Sequence, residues 1–212
     1  MPRRGRVSDY AVLTNFIIIY ILMARYLGPK IKVIRRLGEL PGLTQKISKR
    51  QSENEQRRKL SQYAVRLREK QKLRFNYGIS EKQLLSYVKK ARRLPGSTGT
   101  LLIRLLEMRI DTLIFRLCLG PSMASCRQHV THGRIFVNNK RVTIPSYQCK
   151  INDIIMFDIP TSAGAPSNVN RPISSHLNQN ATNQSAQICS FPDRQALDLD
   201  VNELRVIEYY SR

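Results

Sequence analysis

Basic side chains are the groups in this chain whose type and spacing suggest chemistry. Lys59, Arg66, Lys70 and Arg74 follow one another at spacings of seven, four and four. On a helix that pattern makes a stripe, with Tyr63 among it, that can address successive phosphates. Lys30, Lys32, Arg35 and Arg36 crowd a shorter stretch. Lys89, Lys90, Arg92 and Arg93 form a third group, and Arg109, Arg116, Arg127 and Lys140 come at wider intervals. Arginine grips phosphate through a planar fork and lysine through a mobile point charge. RNA helices are read mainly through phosphates, 2′-hydroxyls and shape. Tyr147 is a candidate for stacking on a base or for packing. The plain alternative for each cation is a solvated surface charge, and for the group at 89–93 a complement to a helix dipole.

Other chemistry lacks its groups. His129 and His132 lie three apart with no carboxylate cluster beside them, so no metal site is expected. Cys118, Cys126, Cys149 and Cys189 form no CxxC pair, which argues against a zinc site or a disulfide framework and for packing roles at the first three. Neither a catalytic residue nor a cofactor is expected.

The charge is concentrated. The 212 residues hold 36 Lys and Arg against 15 Asp and Glu, a net +21 with 42% hydrophobic residues. That is enough apolar content for a core, and enough charge to seek a polyanion. Residues 23–108 carry twenty-two basic against six acidic side chains, whereas residues 161–212 carry four against five. An apolar run at residues 12–22 follows Arg3, Arg4 and Arg6, but it is about half the length of a membrane span. No small-residue cleavage site follows it, so no membrane association is expected.

The elements that must position these cations can be read from periodicity and punctuation. Residues 28–52 alternate basic and turn-forming residues, which predicts an extended basic arm. Leu60, Ala64, Leu67 and Phe75 predict a helix over 55–76, ended by Tyr77-Gly78. Ser80 and Gln83 read as a capping box for a second helix. Pro95-Gly96 breaks the chain before a leucine-rich third helix begun by Ser97 or Thr98, within which Asp111 is placed to cap a fresh start. Ser122 caps a short helix reaching about Thr131. The period then changes to two: Ile135 and Val137, an Asn138-Asn139 turn, Val142 and Ile144, an Asn152-Asp153 turn, and a strand over 154–159. Residues 160–196 are rich in Ser, Asn, Gln and Pro, which predicts a low-complexity loop. The apolar residues of the final segment predict that it returns to the body.

The run Glu69-Lys70-Gln71-Lys72-Leu73-Arg74-Phe75-Asn76-Tyr77-Gly78 closely resembles a segment of the small-subunit ribosomal protein number four family. So do Gly96-Ser97-Thr98-Gly99, the run Leu105-Leu106-Glu107-Met108-Arg109-Ile110-Asp111, and the closing Glu208-Tyr209-Tyr210-Ser211-Arg212. Residues 109–158 resemble the RNA-binding module named after that family, through Arg127-Gln128, Val130-Thr131-His132, Ile135-Phe136-Val137-Asn138 and Pro145-Ser146-Tyr147. The resemblance starts at Met23, which makes that residue the expected functional start. It departs from bacterial members that carry an N-terminal metal-binding cysteine cluster, since no cysteine precedes Cys118. Met123 stands where many members have arginine, and Asn139 where the turn glycine is usual.

The resemblance implies an α+β fold: a helical body, a basic N-terminal arm, and an inserted module of two helices plus a short twisted antiparallel sheet. The expected boundaries are 1–22 for an extension, 23–54 for the arm, 55–108 with 197–212 for the body, 109–159 for the module, and 160–196 for the loop. It further implies a structural constituent that binds small-subunit rRNA directly and nucleates assembly. Such a protein lies beside neighbouring small-subunit proteins, near the channel where mRNA enters. Leu40-Pro41-Gly42-Leu43 and Phe75 to Gly78 lean toward plastid members, so a chloroplast ribosome is expected, with a bacterial cytoplasm as the alternative. Two other functions compete. Arg109-Ile110-Asp111 is superficially like the Arg-Leu-Asp of pseudouridine synthases, but the chain has no room for their catalytic domain. A stand-alone RNA chaperone would share the module but not the matched arm and tail.

Overall fold

The computed structural model describes residues 26, 28–46, 61–158, 174–180, 184–194 and 199–211. The N-terminal extension, Met23, and much of the second half of the arm and of the expected loop lie outside the described residues.

The arm is not extended throughout. Lys30–Leu37 forms helix α1, which buries Val33 and Ile34 and ends at Gly38 with φ +96°. The two apolar residues give the short basic stretch one face to dock, and this docking outweighs its turn-forming neighbours. Helix α2, Gln62–Asn76, is capped by the Ser61 hydroxyl, which accepts from the Ala64 amide. The Ser80–Gln83 capping box opens α3, Glu81–Arg93, and both of its hydrogen bonds are present. Helix α4, Thr98–Glu107, stops at Met108, and α5, Ile110–Arg116, begins anew after Arg109. Arg109, not Asp111, is the N-cap residue of α5, and Asp111 lies in its first turn. Helix α6 spans Met123–Thr131, with the Ser122 hydroxyl as its cap.

Strand β1, Ile135–Val137, turns through Asn138 and Asn139, both at positive φ, into β2, Lys140–Arg141. Residues 142–144 continue outside any strand. Strand β3 is Ile154–Phe157. The sheet is then completed by residues expected to form a loop: β4, Leu177–Asn180, and β5, Ser185–Ile188, form an antiparallel hairpin on β3. The order is β2-β1-β3-β5-β4, antiparallel throughout. Leu177, Ala186 and Ile188 face inward while Asn178 and Gln187 face water, so only one thin face of this hairpin is apolar. Helix α7, Glu203–Tyr210, returns to lie along α2 and against α4 and α3, as the apolar tail requires.

One buried cluster runs through body and module, from Leu73, Leu84 and Leu102 through Ile110, Leu113 and Ile114 to Val130, Ile135, Ile155 and Ile188. The segment after the second strand also ties the module to the body, since the Cys149 amide donates to the Met108 carbonyl at 3.0 Å, while the Ile110 amide donates to the Tyr147 carbonyl at 2.9 Å within the module. Cys126 and Cys149 are buried and Cys118 is half-buried. Burial pushes the Cys149 thiol up to about 12, which suits a packing group.

Asn76, Tyr77 and Gly78, which end α2, are where arm, body and module meet. The Asn76 Oδ1 accepts the Gly42 amide at 2.9 Å, and the Gly42 carbonyl accepts the Met123 amide at 2.8 Å. A Cβ on Gly42 would lie 2.3 Å from the Asn76 carbonyl oxygen. Gly42→Ala should therefore destabilise the fold by about 1–3 kcal/mol through a forced backbone shift. A urea unfolding curve checks this; an unchanged midpoint would show that the contact can relax.

Candidate RNA interface

The fold sorts the candidate cations into two sets. The exposed set lies on α1, on the last turn of α3 and on the module. Lys32, Arg35 and Arg36 are exposed on α1, with Lys30 half-buried at its start. Arg92 and Arg93 are exposed at the end of α3, together with Lys89 and Lys90 of the same basic group. Lys140 is exposed on the module's edge strand, and Tyr147 is 40% exposed. Exposed Arg141 and Lys150, not singled out by the sequence reading, add two more cations to the module. The Arg141 guanidinium donates to the His132 carbonyl at 3.1 Å and lies where a Cβ of Gly133 would be. The φ of +72° at Gly133 is what calls for glycine there, since the long Arg141 side chain could move aside.

The inward set is held by protein partners. The sequence placed Arg109 and Arg116 at the RNA surface; the structure buries both. Arg109 is 1% exposed, donates through Nε and Nη2 to Asp111 at 3.0 and 2.7 Å, and reaches the Tyr87 hydroxyl at 2.8 Å. Burial disfavours its charge, but the Asp111 carboxylate more than compensates, so its pKa rises. Arg116 donates through Nε and Nη2 to the Glu107 carboxylate at 3.0 and 2.9 Å, and the Tyr77 hydroxyl donates to the same group at 2.5 Å. Burial first, then the Glu107 charge, drives the Tyr77 pKa well up, so this hydroxyl stays protonated and donates. The reason is local: the leucine-rich helices that carry these residues pack on every side, and a buried charge must be paired.

Of the expected stripe on α2, Arg66 and Lys70 face α7 rather than solvent. Arg66 donates to Glu208 at 2.7 Å. Lys70 is buried, donates to Glu81 at 2.9 Å and lies 4.2 Å from the centre of the Tyr209 ring. Burial would raise the Glu81 pKa, but hydrogen bonds from Tyr210 and Lys70 hold it below its usual range. Arg74 is half-buried over the Phe75 ring, and Lys59 lies outside the described residues. Arg127 is half-buried and bonded to Asp111 and to the carbonyls of Tyr77 and Gly78.

Among the described residues no helix is long and apolar enough to cross a membrane, and no cluster of His, Cys, Asp and Glu is arranged to hold a metal. What the surface offers is cations with partly exposed aromatics, presented by a scaffold whose interior cations are fixed in ion pairs. Such a surface can neutralise phosphates along folded RNA.

Comparison with known sequences identifies the relatives of this chain. The profile of the ribosomal protein S4/S9 N-terminal domain matches residues 25–107, and that of the S4 domain matches residues 108–155. The chain is 50% identical over 202 residues to the small ribosomal subunit protein uS4c of Emiliania huxleyi, covering 90% of this chain and 99% of that one. The small ribosomal subunit protein uS4 of Thermosynechococcus vestitus is 48% identical over 202 residues, with the same two coverages. The uS4c of Chlorokybus atmophyticus is 48% identical over 201 residues, again covering 90% of this chain and 99% of the relative.

Proposed function

The chain belongs to the S4 family of small-subunit ribosomal proteins, structural components rather than enzymes, and from that premise we propose that it binds small-subunit rRNA directly. The observation that carries this reading is the division of its cations. Those on α1, the end of α3 and the module's edge are exposed, while those in the interior are paired and set the frame. A frame fixed before binding loses little entropy when RNA docks, which suits a protein that seeds assembly by holding RNA helices at a junction. Neighbouring small-subunit proteins and mRNA near the channel where it enters are the further partners that the family likeness suggests.

A plastid ribosome is the compartment we infer, supported by relatives named uS4c, with a bacterial cytoplasm as the alternative that the 48% identity to the uS4 of Thermosynechococcus vestitus supports. The functional test is binding of the purified full chain to small-subunit rRNA transcript against large-subunit rRNA transcript of equal length. We expect at least about a tenfold preference for the former, about 1.4 kcal/mol. Equal affinity would overturn direct, specific rRNA recognition in favour of a general RNA chaperone.

A further inference from the structure

Arg127 sits on α6, in the module, yet its guanidinium is directed at the body. Nη1 donates to the Gly78 carbonyl at 2.6 Å and Nη2 to the Tyr77 carbonyl at 3.2 Å, both in the turn that ends α2. Nε and Nη2 also donate to the Asp111 carboxylate at 3.2 and 2.7 Å. That carboxylate is fully buried and also accepts Arg109, through both of its oxygens, and Arg109 in turn donates to the Tyr87 hydroxyl on α3. The polar chain therefore runs from α6 through Asp111 and Arg109 to α3, the helix whose C-terminal end displays Lys89, Lys90, Arg92 and Arg93. At its other end lies the module that displays Lys140, Arg141 and Lys150. A planar fork that satisfies three acceptors fixes an orientation in a way that apolar contact alone does not.

We propose that Arg127 is a positioning residue: it sets the angle between the body's RNA surface and the module's, so that one RNA can engage both at once. The inference rests on the RNA-binding reading above. Two surfaces held at the correct spacing bind one RNA with an effective concentration that geometry controls, and the gain is lost when the geometry is wrong. RNA too short to reach both surfaces gains nothing from the clamp.

The test uses the full chain and its Arg127→Met and Arg127→Lys variants, in which Asp111 keeps Arg109 as its partner. Each is titrated with a small-subunit rRNA domain transcript and with a short duplex that spans only one surface, well below the melting temperature of every variant. We expect both variants to lose about a hundredfold on the long RNA, and to change by less than about threefold on the short duplex, since only one cation is altered. Equal losses on both RNAs, or Arg127→Lys binding as wild type, would make Arg127 a phosphate contact and overturn the proposal. Lower melting temperatures with unchanged affinity for both RNAs would make it a stability residue only, and overturn it too. A wild-type chain that binds neither RNA would instead remove the RNA-binding reading, and this inference with it.

Discussion

Arg116→Met should lower the stability of the fold by about 3–5 kcal/mol, because it leaves the Glu107 carboxylate buried with its ion-pair partner gone. Glu107 has no exposed surface and the Arg116 side chain is 6% exposed, so water cannot replace the lost guanidinium. The Tyr77 hydroxyl would remain as a donor to Glu107, but a neutral hydrogen bond does not balance a buried charge. For a chain of this size the melting temperature should fall by roughly 6–20 °C. Replacing both partners with apolar residues, Arg116→Met with Glu107→Leu, should recover most of the loss, since a buried pair replaced by packing is often neutral. A single variant that melts like the wild type but binds RNA weakly would mean that Arg116 acts at the RNA surface after all.

The second large effect is in salt. If six to ten phosphates are engaged, affinity for small-subunit rRNA should fall by about 10³–10⁵ between 50 and 200 mM salt. The exposed cations of α1, α3 and the module are numerous enough for that number of contacts. Changing Lys89, Lys90, Arg92 and Arg93 together to glutamine should reduce the slope of log affinity against log salt by about three to four units. Stability should change little, because the helix dipole these cations complement is worth under about 1 kcal/mol per charge. A filter-binding series at several salt concentrations gives both numbers, and an unchanged slope in the fourfold variant would remove the end of α3 from the interface.

The salt dependence follows already from the charge of residues 23–108, whereas the burial of Arg116 departs from a reading of the sequence alone, for physical reasons. Capping chemistry was not legible at Ser61, inside the helix expected over 55–76, or at Arg109, which caps α5 in place of Asp111; it was legible at Ser80 and Ser122, whose hydroxyls announce helix starts without a tertiary partner. The Asn138-Asn139 turn was legible for the same reason, since few residues accept positive φ twice in succession. The fate of a cation was not legible. Arg66 and Lys70 share a helical stripe, and nothing in their spacing says that α7, more than a hundred residues later, will cover it. Arg109 and Arg116 are likewise indistinguishable from surface arginines until Asp111 and Glu107 are seen beside them. A signal was present: both arginines interrupt the leucine-rich run of residues 101–119, where an unpaired charge could not be tolerated. The β4–β5 hairpin was hidden by composition. Its Ser185-Ala186-Gln187-Ile188 alternation is that of a strand with one buried face, but the Asn- and Ser-rich surroundings masked it.

Lysine footprinting of the full chain, with and without small-subunit rRNA, tests the central claim most directly, because the claim is that burial and pairing decide which cations meet RNA. Brief acylation followed by mass spectrometry reports each lysine separately. The account predicts that Lys32, Lys89, Lys90 and Lys140, all exposed, react freely in the protein alone and are protected when rRNA is added. Lys70, buried between Glu81 and Tyr209, should react poorly in both states. Lys89 and Lys90 reacting equally with and without RNA, or Lys70 reacting freely until RNA protects it, would contradict the account.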